Sequence, residues 1–204
     1  MGIYARLVLP RLTHFAMGQA QLRPYRQRVI GGAKGRVLEI GIGSARNLPF
    51  YTDAVEELVG VDSSPEMLVM AERAVAAVRR PKVRLLSGSA ESLPFESPSF
   101  DAVVVTWSLC SISDPVMALR EARRVLRPDG QLRFVEHGLS PDAAVRKWQD
   151  RLTPVWSRCA GGCHLNRKTD ALVRAAGFTL HELAAGYAPG LRPMAYMYEG
   201  CAIQ

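Results

Sequence analysis

Short runs of aliphatic and β-branched residues alternate along this chain with longer stretches whose apolar positions recur every three or four residues. The first pattern predicts strands over 36–40, 57–62, 83–87, 101–106 and 131–136, and the second predicts helices over 46–51, 64–79 and 115–126. Unbroken runs such as Val103-Val104-Val105 need cover on both faces, which points to a parallel sheet between helical layers. The helix over 64–79 is the best specified. Ser64, Pro65 and Glu66 supply a cap, a first-turn proline and an acid for the positive helix end. Met67, Met70, Ala71, Ala74, Val75 and Val78 then form one apolar stripe, and Arg79-Arg80-Pro81 closes the helix.

Beyond residue 140 the rhythm changes. A helix-like insertion over 143–158 carries Trp148 and Trp156, and Cys159-Ala-Gly-Gly-Cys163-His164 follows it. A short helix over 168–176 then leads to strands near 178–183 and 194–202, with no crossover helix between them, so these two pair antiparallel. The expected fold is a single α/β domain: a doubly wound, mostly parallel sheet of about seven strands with one antiparallel strand near the edge. Within it we distinguish a basic helical lid (1–34), a core (35–139), a helical insertion that extends the lid (140–167), and a terminal helix with strands (168–204).

Composition changes this picture little: 48% hydrophobic and 22% charged residues exclude a disordered or fibrous chain. Charge changes it more. All of the +7 excess sits in residues 1–38, where Arg6, Arg11, Arg23, Arg26, Arg28, Lys34 and Arg36 face no acid. With Leu7, Val8, Leu9, Phe15 and Met17 between them, these cations suit an anionic membrane surface or an anionic ligand, and residues 1–36 are the expected peripheral contact. An arginine-rich composition is the plainer explanation, since 22 of the 26 cations are arginine. No basic stretch is interleaved with stacking aromatics, which argues against a nucleic-acid partner. No apolar run reaches the ~18 residues of a membrane span. Cys110, Cys159, Cys163 and Cys201 form no disulfide framework. The expected location is the cytoplasm, at most at the membrane surface.

The chemistry concentrates in Arg36-Val-Leu-Glu-Ile-Gly-Ile-Gly-Ser-Ala-Arg46. Gly41 and Gly43 follow a strand where a ligand must approach the backbone. Asp62, 21 residues beyond Gly41, ends the next strand and suits the two hydroxyls of an adenosine ribose. The third glycine that would aim a helix at a pyrophosphate is here Arg46, which weakens a nicotinamide oxidoreductase reading. Glu39, just before the turn, would repel a pyrophosphate but suits a cationic ligand end, such as the ammonium and sulfonium of S-adenosylmethionine.

Glu39-Ile-Gly-Ile-Gly, Val61-Asp-Ser-Ser-Pro-Glu-Met-Leu68, Gly88-Ser-Ala-Glu-Ser-Leu-Pro-Phe95, Ser99-Phe-Asp-Ala-Val103 and Arg124-Val-Leu-Arg-Pro-Asp-Gly130 resemble, in order, the motifs of class I S-adenosylmethionine-dependent methyltransferases. The resemblance implies a Rossmann-like fold with the cofactor against Glu39, Gly41, Gly43, Asn47, Asp62, Ser63, Met67, Ser89, Ala90, Glu91, Thr106 and Trp107. In it the glycine turn holds the methionine part, Asp62 the ribose and Met67 one adenine face. Two positions depart from the family: Gly43-Ser-Ala45 replaces a frequent Gly-Thr-Gly, and Ser89 stands where aspartate is frequent. Thr106-Trp-Ser-Leu-Cys-Ser111, Phe134-Val-Glu-His137, the stretch from Trp148 to Trp156 and Gly162-Cys-His-Leu-Asn-Arg167 resemble methyltransferase-like proteins that methylate thiols at membranes.

The resemblance implies a small-molecule methyl acceptor, a thiol first. A phospholipid or quinone amine or hydroxyl is the alternative, and a non-catalytic cofactor-binding protein a third reading. His137 and His164 are the catalytic candidates, because histidine titrates near neutrality; positioning of the acceptor competes with proton transfer for His137. Cys159, Cys163 and His164 lack a second ligand pair at metal spacing, so no metal set is read from the sequence. Asp101 is expected to order the base of its strand.

Overall fold

The computed structural model describes residues 2–79 and 81–204. Seven strands form one sheet in the order β3-β2-β1-β4-β5-β7-β6. They are β1 (Gly35–Ile40), β2 (Val55–Asp62), β3 (Lys82–Ser87), β4 (Phe100–Thr106), β5 (Leu126–His137), β6 (Thr179–Tyr187) and β7 (Tyr196–Ile203). All neighbours pair parallel except β7, which runs against both β5 and β6. The fold class is the expected one, with the reversed strand second from the edge. The chain passes from β1 to β2 on one side and returns to β4 on the other, so the crevice of a doubly wound sheet opens past the ends of β1 and β4.

Alternation along the central strands divides the core. Leu38, Ile40, Val103, Val105, Leu132 and Phe134 pack on one face with α4 (Pro115–Val125) and α6 (Thr169–Ala175). Val37, Leu58, Ala102 and Val104 pack on the other with α2 (Arg23–Ile30) and α3 (Pro65–Val75). Val37 and Glu39 share a strand face, so the same alternation that buries β1 carries an acid into the second core.

Ser64 caps α3 as expected, its hydroxyl accepting from the Met67 N–H at 3.2 Å. The helix ends at Val75, short of the expected 79, and β3 begins at Lys82. Arg80 lies outside the described residues. The expected helix over 46–51 is one 3₁₀ turn, Leu48–Phe50. Ala45 is left-handed at φ 57°, Pro49 has no N–H to extend a helix, and the Asn47 side chain turns into the core.

Before the sheet come a π-helical turn (Tyr4–Val8), α1 (Leu9–Met17) and α2. Their polar contacts hold them to the sheet's ligand-binding edge. His14 Nδ1 lies 2.7 Å from Ser44 Oγ, Tyr4 donates to the Cys159 carbonyl at 2.7 Å, and Arg28 forms a forked pair with Glu199. The insertion is α5 (Ala143–Cys159), capped by Asp142, and the short α7 (Arg192–Ala195) leads into β7. Gln149 of α5, fully buried, accepts from the Ser140 N–H at 3.0 Å. Its amide nitrogen reaches the carbonyls of Gly138, Leu165 and Pro193 at 2.9 to 3.0 Å. That one side chain ties the exit of β5 to the loop after α5. Asp101 accepts from the Arg36 N–H at 2.8 Å and pairs with Arg127, ordering the base of β4. Among the described residues no helix is long and apolar enough to cross a membrane.

Candidate active site

Past Ile40 the chain folds back onto β2, and the N–H groups of Gly41 and Ile42 both donate to the Val61 carbonyl, at 2.8 and 3.2 Å. Gly41 and Gly43 adopt φ of 72° and 55°, a region side chains resist. A side chain on Gly41 would strike Ser108, whose hydroxyl donates to the Gly41 carbonyl at 3.3 Å. A Cβ on Gly43 would stand 3.1 Å from Met67 Cε and fill the space between turn and helix. Asp62 completes this cradle. Its two oxygens accept from the Gly43 and Ser64 N–H groups, each at 2.8 Å, and each oxygen has a second lone pair to offer. Burial raises the Asp62 pKa, opposed by the backbone N–H groups of Ser64, Gly43 and Ser63.

Glu39 lies beneath the turn, 1% exposed. Asn47 Nδ2 donates to its Oε1 at 2.8 Å and Tyr51 Oη to its Oε2 at 2.7 Å. Asn47 Nδ2 also reaches Thr106 Oγ1 at 2.8 Å, and Arg26 Nε donates to Asn47 Oδ1 at 2.7 Å. Burial pushes the Glu39 carboxyl up to about 7; the Tyr51 and Asn47 hydrogen bonds and the nearby Arg26 charge pull it down, while Asp62 raises it. Arg26, lowered to about 10 by burial, stays cationic and lies over the Trp107 ring at 4.7 Å. The structure therefore brings Glu39, Asn47 and Thr106 together as one buried polar unit. Arg26, read from sequence only as one cation of a basic segment, is its anchor.

The other expected positions lie around the same edge. Ser89 donates to Glu91 Oε2 at 2.6 Å, and Glu91 Oε1 accepts from the Asp114 N–H at 2.8 Å, holding the loop after β3 to the start of α4. Ala90 packs half-buried against the first core. Trp107, directly after β4, has φ 48°, a strained backbone for a bulky residue, and its buried indole N–H has no partner among the described residues.

At the end of β5, Glu136 Oε1 accepts from the Ser108 and Leu109 N–H groups, while its buried Oε2 is unpartnered among the described residues. Burial pushes this carboxyl up to about 8, against those N–H groups, with the nearby Cys163 thiol adding to the rise. His137 Nε2 lies 3.2 Å from Cys163 Sγ. His164 is held to the backbone: its Nδ1 is 2.7 Å from the Gly162 carbonyl and its N–H donates to the Cys110 carbonyl. Of the two expected catalytic histidines, only His137 meets other reactive side chains. These are Cys110 and Cys163, from the loop after β4 and the loop after α5. Cys159 is exposed at the end of α5. A hydrogen bond with Cys110, then burial, raises the Cys163 thiol pKa.

A family model described as a methyltransferase domain matches residues 38–134, the span from β1 through β5 that builds this edge. Thiol S-methyltransferase TMT1A of Homo sapiens is 30% identical over 176 residues, which cover 82% of this chain and 72% of that protein. The chain belongs to the S-adenosylmethionine-dependent methyltransferases. Phosphatidylethanolamine N-methyltransferase of Cereibacter sphaeroides is 32% identical over 139 residues, 65% of this chain and 68% of that one. Against other curated methyltransferases the match spans only 38% to 62% of their length. The crystal structure of an S-adenosylmethionine-dependent methyltransferase from Methanosarcina mazei shares the fold, with TM-score 0.69 at 20% identity, over 89% of this chain and 97% of that one.

The residues of this methyltransferase fit the family's methyl donor. The cradle between Gly43 and Met67 is open where a Cβ would fill it, Asp62 presents acceptor lone pairs, and a buried acid lies under the turn for a cationic group. Asp62→Ala removes a hydrogen-bonding charge and frees the N–H groups of Gly43 in the turn and Ser64 at the start of α3. Its S-adenosylmethionine affinity, measured calorimetrically, is expected to fall by about 1–3 kcal/mol; an unchanged dissociation constant would remove Asp62 from the site.

Proposed function

We propose that this methyltransferase transfers a methyl group from S-adenosylmethionine to a small, fairly apolar thiol. The observation that carries the reading is the cluster at the end of β5, where two thiols and an imidazole meet, Cys110 lying two residues past the serine that touches Gly41. Such soft, weakly polar groups suit a sulfur acceptor better than a cationic amine. The names of the thiol-methylating relatives agree. When bound, S-adenosylmethionine supplies a methyl group already activated by its sulfonium. The chain's own tasks are to align the acceptor and to exclude water. Asp62 accepts from the ribose hydroxyls, the turn backbone faces the amino-acid end, and Glu39 balances its positive charge from below. Met67 covers the adenine, with Ser63, Ser89, Ala90 and Glu91 around its edge. His137 positions the acceptor, and a thiol with pKa near ~8.5 needs little help to ionise at neutrality. His164 shapes the loop beside it.

Mass spectrometry of products from thiols, amines, hydroxylated quinones and phospholipids, with isotope-labelled methyl donor, tests the acceptor. Label on the thiols supports the proposal, and label confined to lipid or quinone overturns it. The relatives that methylate phosphatidylethanolamine and demethylmenaquinone make those the competing acceptors.

The N-terminal segment supports peripheral contact with an anionic membrane. Ile3, Leu7, Val8, Leu12 and Phe15 are exposed beside Arg11, whereas Arg26 is buried against Asn47 and Arg28 is paired with Glu199. Replacing Leu12 and Phe15 by glutamate is expected to abolish salt-sensitive co-sedimentation with anionic vesicles. Unaltered sedimentation would assign any binding to another face.

A further inference from the structure

Three side chains that no spacing rule connects converge past the ends of β4 and β5. Cys110 comes from the loop after β4, His137 ends β5, and Cys163 lies in the loop after α5. Their Sγ, Nε2 and Sγ atoms all lie within 4.8 Å of one another, with Cys163 Sγ 3.2 Å from His137 Nε2. A tetrahedral zinc site with Zn–S of about 2.3 Å and Zn–N of about 2.0 Å places sulfur and nitrogen about 3.5 Å apart and two sulfurs about 3.8 Å apart. The cluster needs shifts of a few tenths of an ångström to about 1 Å to reach that shape.

We propose that Cys110, Cys163 and His137 form a three-ligand site for a soft divalent cation, Zn²⁺ foremost, with the fourth position open to the acceptor. The geometry that carries this is the meeting of three ligand atoms from three separate loops, with His137 Nε2 turned toward Cys163. Three protein ligands with one open position is the arrangement of catalytic zinc, and two thiols with an imidazole select zinc over magnesium or calcium. Charge balances as well. Two thiolates offset the cation, and the Arg167 guanidinium nearby is held by the Leu109 and Ile112 carbonyls.

Metal binding releases two thiol protons to solvent. The open position's use by an acceptor sulfur rests on the thiol reading above; the metal site does not. An acceptor thiol that coordinates there loses its proton to solvent on binding. Transfer then forms the bond from its sulfur to the methyl carbon and breaks the methyl–sulfonium bond, the electron pair staying on the donor sulfur. The product thioether, a weak ligand, departs.

The test begins with protein purified without chelator and analysed for bound metal. About one zinc per chain is expected, and replacement by Co²⁺ is expected to give a thiolate-to-metal charge-transfer band. C110S and C163S should each lower Zn²⁺ affinity by more than the roughly 10–100-fold that loss of an outer-shell partner costs. The cobalt spectrum needs no variant, so a variant that fails to fold leaves the test intact. Absence of both zinc and the cobalt band, or a Cys110–Cys163 disulfide in the isolated protein, overturns the site. Metal bound without thiol methylation would sink the thiol reading and leave the site standing. Thiol methylation by protein that binds no zinc or cobalt would do the reverse.

Discussion

Glu39→Gln is expected to weaken S-adenosylmethionine binding by about tenfold or more at pH 8 and to abolish its pH dependence, while making the protein more stable above neutrality. The three outcomes share one cause. With a folded-state pKa of about 7, the carboxyl is half protonated at neutrality. A cationic ligand overhead favours its ionised form, so wild-type affinity is expected to rise about tenfold between pH 6 and pH 8 as that fraction grows. Across this range Glu39 passes from neutral to anionic. Arg26, at about 10, keeps its charge, and Tyr51 is pushed well above its ordinary value by burial and by Glu39 itself.

Linkage gives the stability term the opposite sign. A carboxyl whose pKa is raised on folding binds more protons in the native state, so its contribution is fully present below the unfolded value of about 4.5 and is lost as pH rises through about 7. At pH 8 the ionised buried acid costs on the order of 3 kcal/mol. Glutamine keeps the acceptor for Asn47 and meets the Tyr51 hydroxyl as a donor, escaping that cost. Calorimetric titrations at pH 6 and 8, with urea unfolding at the same values, check the set. Binding equally tight in both proteins at pH 8 would show that the acid serves only the turn's architecture.

Gln149→Leu is expected to cost about 3–5 kcal/mol of folding stability, a large share of what holds a domain of this size together. Leucine fills a similar volume but leaves the Ser140 N–H and the carbonyls of Gly138, Leu165 and Pro193 without their partner in a buried setting. Because those groups join the exit of β5 to the loop carrying Cys163 and His164, the loss is also expected to loosen Cys163 from His137. Urea unfolding should show a lowered midpoint with an unchanged slope. A change below about 1 kcal/mol would mean that water replaces the amide.

The features legible in sequence are those with local causes. The strand runs, the glycine turn, the acid ending β2 and the Ser64 cap each depend on a few consecutive residues, and each expected strand is found with its ends shifted by a few positions. What escaped depends on distant partners. Glu39 looked like a crevice acid, but its burial required Tyr51 from the same loop and Arg26, through Asn47, from a helix read only as a basic segment. The helix expected over 46–51 failed for the same reason, because Asn47 serves Glu39 and Thr106 better than it serves a helix. The meeting of Cys110, His137 and Cys163 is set by sheet order and by the path of α5, neither of which leaves a periodic trace.

The place of β7 bears on how the polypeptide reaches its working form at the ribosome. β7 follows β6 in the chain yet lies between β6 and β5, and Met197 pairs with His137. A nascent chain that has emerged only through β6 therefore carries a strand with no partner, an exposed edge open to wrong pairing. Competence for methyl transfer comes only once residues near 200 have left the exit tunnel.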